Sequence, residues 1–172
     1  MLTLARALFD IVLLRRGPRE LPASRSLLGA LALGYFALSL AVAHLSTGPD
    51  FAITRALLDI GSLVGAFSAL LVLRGLGHRV PQTLCALLGT GIVLMLADLV
   101  LLAALPGGEP RGAAAMLIEL SLNLVFLWSV VVTAHIVRAA LDVPLLAGLA
   151  VASSYAVVMV VVALQLPKAP AL

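Results

Sequence analysis

Three carboxylic acids, Asp59, Asp98 and Glu119, stand inside long apolar stretches of this sequence. Two of them have a polar neighbour at helical spacing, because Arg55 precedes Asp59 by four residues and Asn123 follows Glu119 by four. Residues four apart lie on one side of a helix, so each pair can interact. The chemistry that such a set supports is the binding of a proton, a cation, a cationic substrate, or the Lys or Arg of a partner subunit.

Acids in apolar stretches need a physical reason. A charged side chain at the centre of a bilayer costs at least about 2.5 kcal/mol on insertion scales. In a structural interpretation, the acids are hydrogen-bonded or protonated and hold neighbouring helices together. In a functional interpretation, they line a polar pocket within the membrane. A wrong span boundary, which would leave one acid in the interfacial region, is the third alternative.

The composition indicates what positions these residues. Of 172 residues, 63% are hydrophobic and 11% are charged. Soluble domains have roughly 25% charged and 45–50% apolar residues. The chain is therefore predicted to be an all-α integral membrane protein with a single transmembrane helical bundle.

Five apolar stretches are each long enough to cross a bilayer, which takes about 20 residues. The five predicted spans are residues 26–45, 52–73, 83–105, 113–137 and 144–166. Glycine and proline punctuate the breaks between them. We therefore expect a leader at 1–24, a five-span bundle at 25–167 and a short tail at 168–172. At 1.5 Å per residue, this topology places all three acids about 10 Å below one membrane boundary.

The leader is predicted to contain an amphipathic helix over residues 2–16, with Arg6 and Asp10 on its polar stripe as a potential pair. This segment is too short to span and is typical of an interfacial helix lying in the headgroup plane. Gly17 and Pro18 are expected to stop it. The residues predicted to contact anionic headgroups are Arg6, Arg15, Arg16 and Arg19.

The basic residues divide unequally between the two predicted sides. One side has Arg6, Arg15, Arg16, Arg19, Arg25, Arg74, Arg79 and Arg138, and the other has Arg55, Arg111 and Lys168. The positive-inside rule then places the N-terminus in the cytoplasm and the C-terminus outside, in the periplasm of a bacterial inner membrane. Because the basic residues lie at span ends, the net charge of +3 indicates lipid headgroups as partners and not nucleic acid.

Helix packing is predicted at Gly61 and Gly65, whose spacing permits close approach of two backbones. Packing within the chain and a homodimer face are both open for this motif. The single cysteine, Cys85, excludes an intrachain disulfide. No catalytic motif and no metal-ligand spacing is visible. We therefore predict a non-enzyme with no catalytic residue, no metal and no cofactor.

The leader from Asp10 to Pro22, DIVLLRRGPRELP, resembles the proline-containing amphipathic entry of bacterial Yip1-like small membrane proteins. Those proteins also have a cytoplasmic N-terminal segment, five spans and an outward C-terminus. The resemblance implies a membrane-organising or adaptor role without chemistry, and it carries over no functional residue.

Two functions are expected from these observations. The first is a non-enzymatic inner-membrane adaptor or accessory subunit of a membrane complex, with the bilayer, other membrane subunits or a second copy as partners. The alternative is a small transporter or proton/cation conduit that uses the acidic cluster. An intramembrane enzyme ranks third, because no nucleophile with a neighbouring base is visible.

Overall fold

A computed structural model describes residues 2–22, 24–104 and 112–165, and within these ranges the chain is all-helical. The helices are α1 (Leu2–Val12), α2 (Arg25–Thr47), α3 (Pro49–Leu73), α4 (Val80–Ala103), α5 (Ala113–Leu141) and α6 (Leu145–Gln165), with short 3-10 turns at Pro18–Glu20 and Gly77–Arg79. Within the described ranges, five helices, α2 to α6, are long and apolar enough to cross a membrane. The prediction of five helices that are long and apolar enough to span a membrane is therefore confirmed. The predicted tail at 168–172 lies outside the described residues.

The helix boundaries follow from local chemistry. Ser24 is the N-cap of α2, and its hydroxyl accepts a hydrogen bond from the Leu27 N–H. Gly48, at φ 81°, ends α2 in a conformation that favours glycine, and Pro49 then begins α3. Asp142 ends α5 in the left-handed region at φ 55°, which aspartate tolerates better than most residues.

Helix α4 is the centre of the bundle, because it packs against α1, α2, α3 and α5. Its first half is buried on all sides, including Cys85 and Leu88, which are fully enclosed. Helices α5 and α6 form an antiparallel hairpin, and α5 packs this hairpin against α4. The bundle thus consists of a group of α2, α3 and α4 and a hairpin of α5 and α6.

Close helix contacts depend on glycines other than the predicted pair. A Cβ added at Gly91 would lie 2.5 Å from the Tyr35 ring, and one at Gly148 would lie 2.6 Å from the Ala134 carbonyl oxygen. Gly61 and Gly65 are exposed, and a Cβ at either position would meet nothing within 4 Å. The prediction that this motif packs helices within the chain is therefore wrong, because the motif lies on the outward face of α3.

Helix α1 is docked on the bundle. Leu8 packs against Gly89, and Ile11 is fully buried. The Trp128 indole donates a 3.1 Å hydrogen bond to the Val12 carbonyl oxygen. The helix ends at Val12, earlier than predicted, because Leu14 turns to φ 60°. The apolar face of α1 therefore contacts protein, and the interfacial position of α1 stays a prediction.

The four arginines predicted to bind headgroups divide into two pairs. Arg16 forms salt bridges to Asp10 at 3.2 Å and to Glu20 at 3.4 Å, and Arg19 pairs with Asp142. Asp10 therefore pairs with Arg16 instead of Arg6, because the turn after α1 returns the chain toward it. Arg6 and Arg15 are exposed and remain the better candidates for headgroup contact.

Candidate functional site

A central cavity of about 350 Å³ lies between the α2–α3–α4 group and the α5–α6 hairpin. Its polar lining includes Tyr35, Ser39, Arg55, Asp59, Thr90, Asp98, Ser129, Thr133 and Tyr155. The arginine-rich end of the bundle is defined by the α3–α4 and α5–α6 connections, and the opposite end by the α2–α3 connection. The two acids of the cavity lie in the half of the bundle nearer the α2–α3 connection.

Asp59 is held by hydroxyl groups from α2. The Ser39 hydroxyl donates a 2.8 Å hydrogen bond to the Asp59 carboxylate, and the Tyr35 hydroxyl lies close to the same group. Ser39 and Tyr35 are only 5% and 4% exposed, so these donors are shielded from solvent. Because they are four residues apart, they lie on one face of α2. A half-buried carboxylate with two oriented donors is a preformed site for positive charge.

Asp98 approaches the same cavity from α4. Its side chain is half-buried and has no hydrogen bond or ion pair with any other described residue. Arg55 is the one Lys or Arg among the described lining residues. Two carboxylates and one guanidinium give the cavity a formal charge of −1 when all three are ionised. Asp59, Asp98 and Arg55 therefore line the same cavity, and among the described residues no hydrogen bond or ion pair joins Asp98 to either of the other two.

Glu119 and Asn123 do not belong to this cluster. Neither lines the cavity, and both are exposed on α5. The Asn123 amide donates a 2.8 Å hydrogen bond to the backbone carbonyl of Glu119 and not to a neighbouring helix. The prediction of one cluster is therefore corrected. Depth along a helix placed Glu119 with the other acids, but its face of α5 turns away from them.

Tyr155 closes the gap between α3 and α6. Its hydroxyl is 3.1 Å from the Ser62 hydroxyl, and its ring centroid is 5.1 Å from that of Phe67. The Ser62 hydroxyl donates its one proton to the Asp59 carbonyl oxygen at 3.0 Å, so Tyr155 is the donor to Ser62. This contact connects α6 directly to the turn of α3 that carries Asp59.

Asp142 joins three segments at the arginine-rich end. Its carboxylate receives Arg19 from the leader and Arg79 from the α3–α4 connection, the latter at 2.7 Å. The same arginines donate to the Ala139 and Ala140 carbonyl oxygens at the C-terminus of α5. The hydrogen bond from Arg79, assisted by Arg19, lowers the pKa of Asp142 below the usual carboxyl range, although the side chain is exposed. These contacts fasten the leader to this end of the bundle.

Sequence reasoning missed several of these residues. Tyr35 and Ser39 were absent from the predicted cluster, although their four-residue spacing within the first span was a usable signal. Tyr155 lies in an apolar stretch, where a hydroxyl group needs a hydrogen-bond partner, so its contact with another helix agrees with its position in the sequence. The pairing of Arg19 and Arg79 with Asp142 joins residues far apart in the chain, and no local pattern indicates it.

The lining of the cavity has groups that are suited to positive charge. Within the described residues, no group of three or more His, Cys, Asp or Glu is placed to hold a metal ion. The lining combines carboxylates and hydroxyls with many apolar side chains. Such an arrangement can hold a cation or a proton within an apolar bundle.

Comparisons with protein-family models, curated proteins and solved structures give no match for this chain. The resemblance to Yip1-like proteins therefore stays an expectation from topology and the leader sequence.

Proposed function

We propose that this protein is a small multi-pass membrane transporter or conduit for a cation or proton. One observation carries the proposal: Asp59 from α3 and Asp98 from α4 line a single cavity between the two parts of the bundle. Carboxylates inside apolar bundles commonly mark ion pathways and proton relays. An ion can pass through a helical bundle only where there is open space between the helices. Acids that do not line a cavity would not provide that space.

The proposal includes a membrane position and an orientation. Helices α2 to α6 have the length and apolarity for a bilayer. Arg19 and Arg79 meet at one end of the bundle, and Arg74 and Arg138 belong to the same end. The positive-inside rule favours this end as the cytoplasmic one in a bacterial inner membrane. The two acids then belong to the outer half.

The two acids have different surroundings, which supports a sequence of binding steps. Asp98 lies five residues from the end of α4, about 8 Å along the helix, whereas Asp59 lies ten residues inside α3, about 15 Å. Asp98 has no partner among the described residues, and Asp59 has Ser39 and Tyr35. A cation that enters from this end would meet Asp98 first and would then be held by both carboxylates within the one cavity.

Reconstituted flux tests the proposal. The purified protein is placed in liposomes that contain a pH-sensitive dye, and proton and monovalent-cation flux are followed under an imposed membrane potential. We expect flux in the wild type and a decrease of at least tenfold in Asp59→Asn and in Asp98→Asn. Flux that is unchanged in the double variant would refute the proposal.

Glu119→Gln is the matched control. It removes a third acid from the same set of helices but from outside the cavity. We expect it to retain wild-type flux. A loss of flux equal to that of Asp59→Asn would mean that lost intramembrane charge, and not the cavity, accounts for the effect.

Cysteine labelling tests the orientation. Asp50→Cys lies in the first turn of α3, and His78→Cys lies in the α3–α4 connection, at opposite ends of the bundle. In intact cells of a variant that has Cys85 replaced by alanine, a membrane-impermeant maleimide should label only the cysteine at position 50. Labelling only at position 78 would reverse the orientation.

An adaptor or accessory subunit is the second candidate, and the position of Glu119 favours it. Glu119 and Asn123 are exposed among large apolar side chains, including Met116 at 74% exposed and Leu124 at 58%. A polar pair on such a face is costly against lipid tails and is satisfied by a polar group of a neighbouring subunit. Photo-crosslinking from position 123 in whole membranes would capture a defined partner if this candidate is correct, and only lipid if it is not.

A further inference from the structure

The size of the central cavity bears on what it binds. Its volume of about 350 Å³ is within the range of roughly 300–1,000 Å³ that is typical of small-molecule sites. A proton relay needs only a chain of hydrogen-bonding groups. A bare metal cation needs a compact shell of oxygen ligands. The cavity has room for a larger occupant than either.

The charge of the lining restricts the class of that occupant. Asp59 and Asp98 are balanced only by Arg55 among the described lining residues, so one positive charge neutralises the site. The Ser39 bond orients the Asp59 carboxylate, and Asp98 has no partner among the described residues. A monocation therefore matches the site better than an anion or a neutral solute.

The remaining lining restricts the class further. Side chains that suit an apolar or aromatic body surround the two carboxylates, among them Met95, Phe126, Tyr155 and Met159. Aromatic faces attract organic cations, and methionine adapts its shape to irregular apolar groups. A strongly hydrated inorganic ion would gain nothing from these walls.

We infer that the cavity binds a small organic monocation, namely an ammonium group attached to an apolar or aromatic body. The ammonium group lies between Asp59 and Asp98, and the body contacts the aromatic and thioether side chains. This inference rests on the proposed function and names its substrate class.

Binding of benzyltrimethylammonium tests the inference. Its positive charge is permanent, so binding does not depend on protonation of the ligand. Radiolabelled benzyltrimethylammonium is measured on the purified protein in nanodiscs, with methylammonium and sodium as competitors. We expect saturable binding, and methylammonium and sodium should compete at least tenfold more weakly than unlabelled benzyltrimethylammonium.

Variants connect the binding to the cavity. Asp59→Asn and Asp98→Asn should each weaken binding at least tenfold, whereas Glu119→Gln should change it less than twofold. Phe126 is 44% exposed, so Phe126→Leu should fold normally. This variant should have a lower affinity for benzyltrimethylammonium, whereas the inhibition constant of methylammonium should be unchanged. Equal losses for both cations in Phe126→Leu would contradict the role of the apolar wall.

The two proposals fail in different ways. If acid-dependent flux is present but benzyltrimethylammonium does not bind, or if sodium competes equally, the substrate class is wrong and the conduit stands. If both flux and binding are absent from a folded protein, the proposed function fails together with the inference.

Discussion

The Ser39 hydroxyl donates a 2.8 Å hydrogen bond across the α2–α3 interface to the Asp59 carboxylate. Ser39 is 5% exposed, so this bond forms away from bulk solvent. It gives a carboxylate within an apolar bundle a fixed orientation toward the central cavity. The bond therefore links helix packing to the chemistry of the site.

Removing the Ser39 hydroxyl should weaken the packing of α2 on α3 and the orientation of the Asp59 carboxylate. In Ser39→Ala, Asp59 loses a hydrogen bond, and we expect the free energy of unfolding in mixed micelles to fall by about 0.5–1.5 kcal/mol, as for polar contacts between membrane helices. Ser46→Ala is the control, because among the described residues the Ser46 hydroxyl donates only to the Ala43 carbonyl oxygen of its own helix. Equal stability of the two variants would show that the bond to Asp59 contributes nothing.

The ion pairs of Asp142 predict a dependence of stability on pH. The pKa of Asp142 is lowered in the folded state by Arg79 and Arg19, whereas an unfolded aspartate titrates near about 3.9. The stabilisation is therefore fully present above the unfolded pKa and is lost as pH falls through the lower, folded pKa.

We expect Asp142→Asn to have a lower midpoint of thermal denaturation than the wild type at pH 6, with the difference shrinking below about pH 4. Melting curves of both proteins across this range give the measurement. A difference that is the same at pH 6 and at pH 2.5 would mean that the charge of Asp142 contributes no stability.

The effect of a glycine substitution on stability should depend on the contacts that the glycine makes in the bundle, and not on whether it belongs to the Gly61–Gly65 motif. Gly91→Ala would force a Cβ against the Tyr35 ring, and overpacking of this kind costs about 1–3 kcal/mol. Gly65→Ala meets nothing and should leave stability unchanged or raise it by up to about 1 kcal/mol through helix propensity. The free energies of unfolding of the two variants provide the comparison, and the opposite order would contradict the packing described for α2 and α4.

The docking of α1 on the bundle can be tested by substituting two adjacent residues, of which one is buried and one is exposed. Leu8 is 6% exposed and contacts Gly89, whereas Phe9 is 54% exposed. Leu8→Ala should lower the free energy of unfolding by about 2 kcal/mol, the low end of the range for buried leucines, because lipid can refill the space. Phe9→Ala should be close to neutral. Similar losses for both would indicate that α1 is not held by its buried face.

Helix content and the number of long apolar helices could be predicted because they depend on local composition. An apolar run of about 20 residues must satisfy its backbone internally, and a helix does so without any knowledge of neighbours. The common depth of about 10 Å predicted for the acids does not hold for Asp59, because α3 begins at Pro49 and not at residue 52, so Asp59 lies about 15 Å from the start of its helix. The outward face of Gly61 and Gly65 and the separation of Glu119 from Asp59 depend on helix rotation. Rotation is set by contacts between helices, so a sequence with apolar side chains on every face does not reveal it.

The leader shows the same limit. Its amphipathic character was readable, and Leu2–Val12 is helical. Its docking position could not be predicted, because the position depends on contacts with Gly89 and Trp128, which are distant in the chain. The buried face of α1 had the same residue types that a lipid-facing helix would have.

Whether Asp59 and Asp98 act as one cation site is tested most directly by a double-mutant cycle of flux. Flux in liposomes is measured for the wild type, Asp59→Asn, Asp98→Asn and the double variant. If the two acids share one site, their effects are non-additive, so the double variant should be scarcely slower than the slower single variant. Effects that multiply, or flux that is the same in all four proteins, would contradict the account.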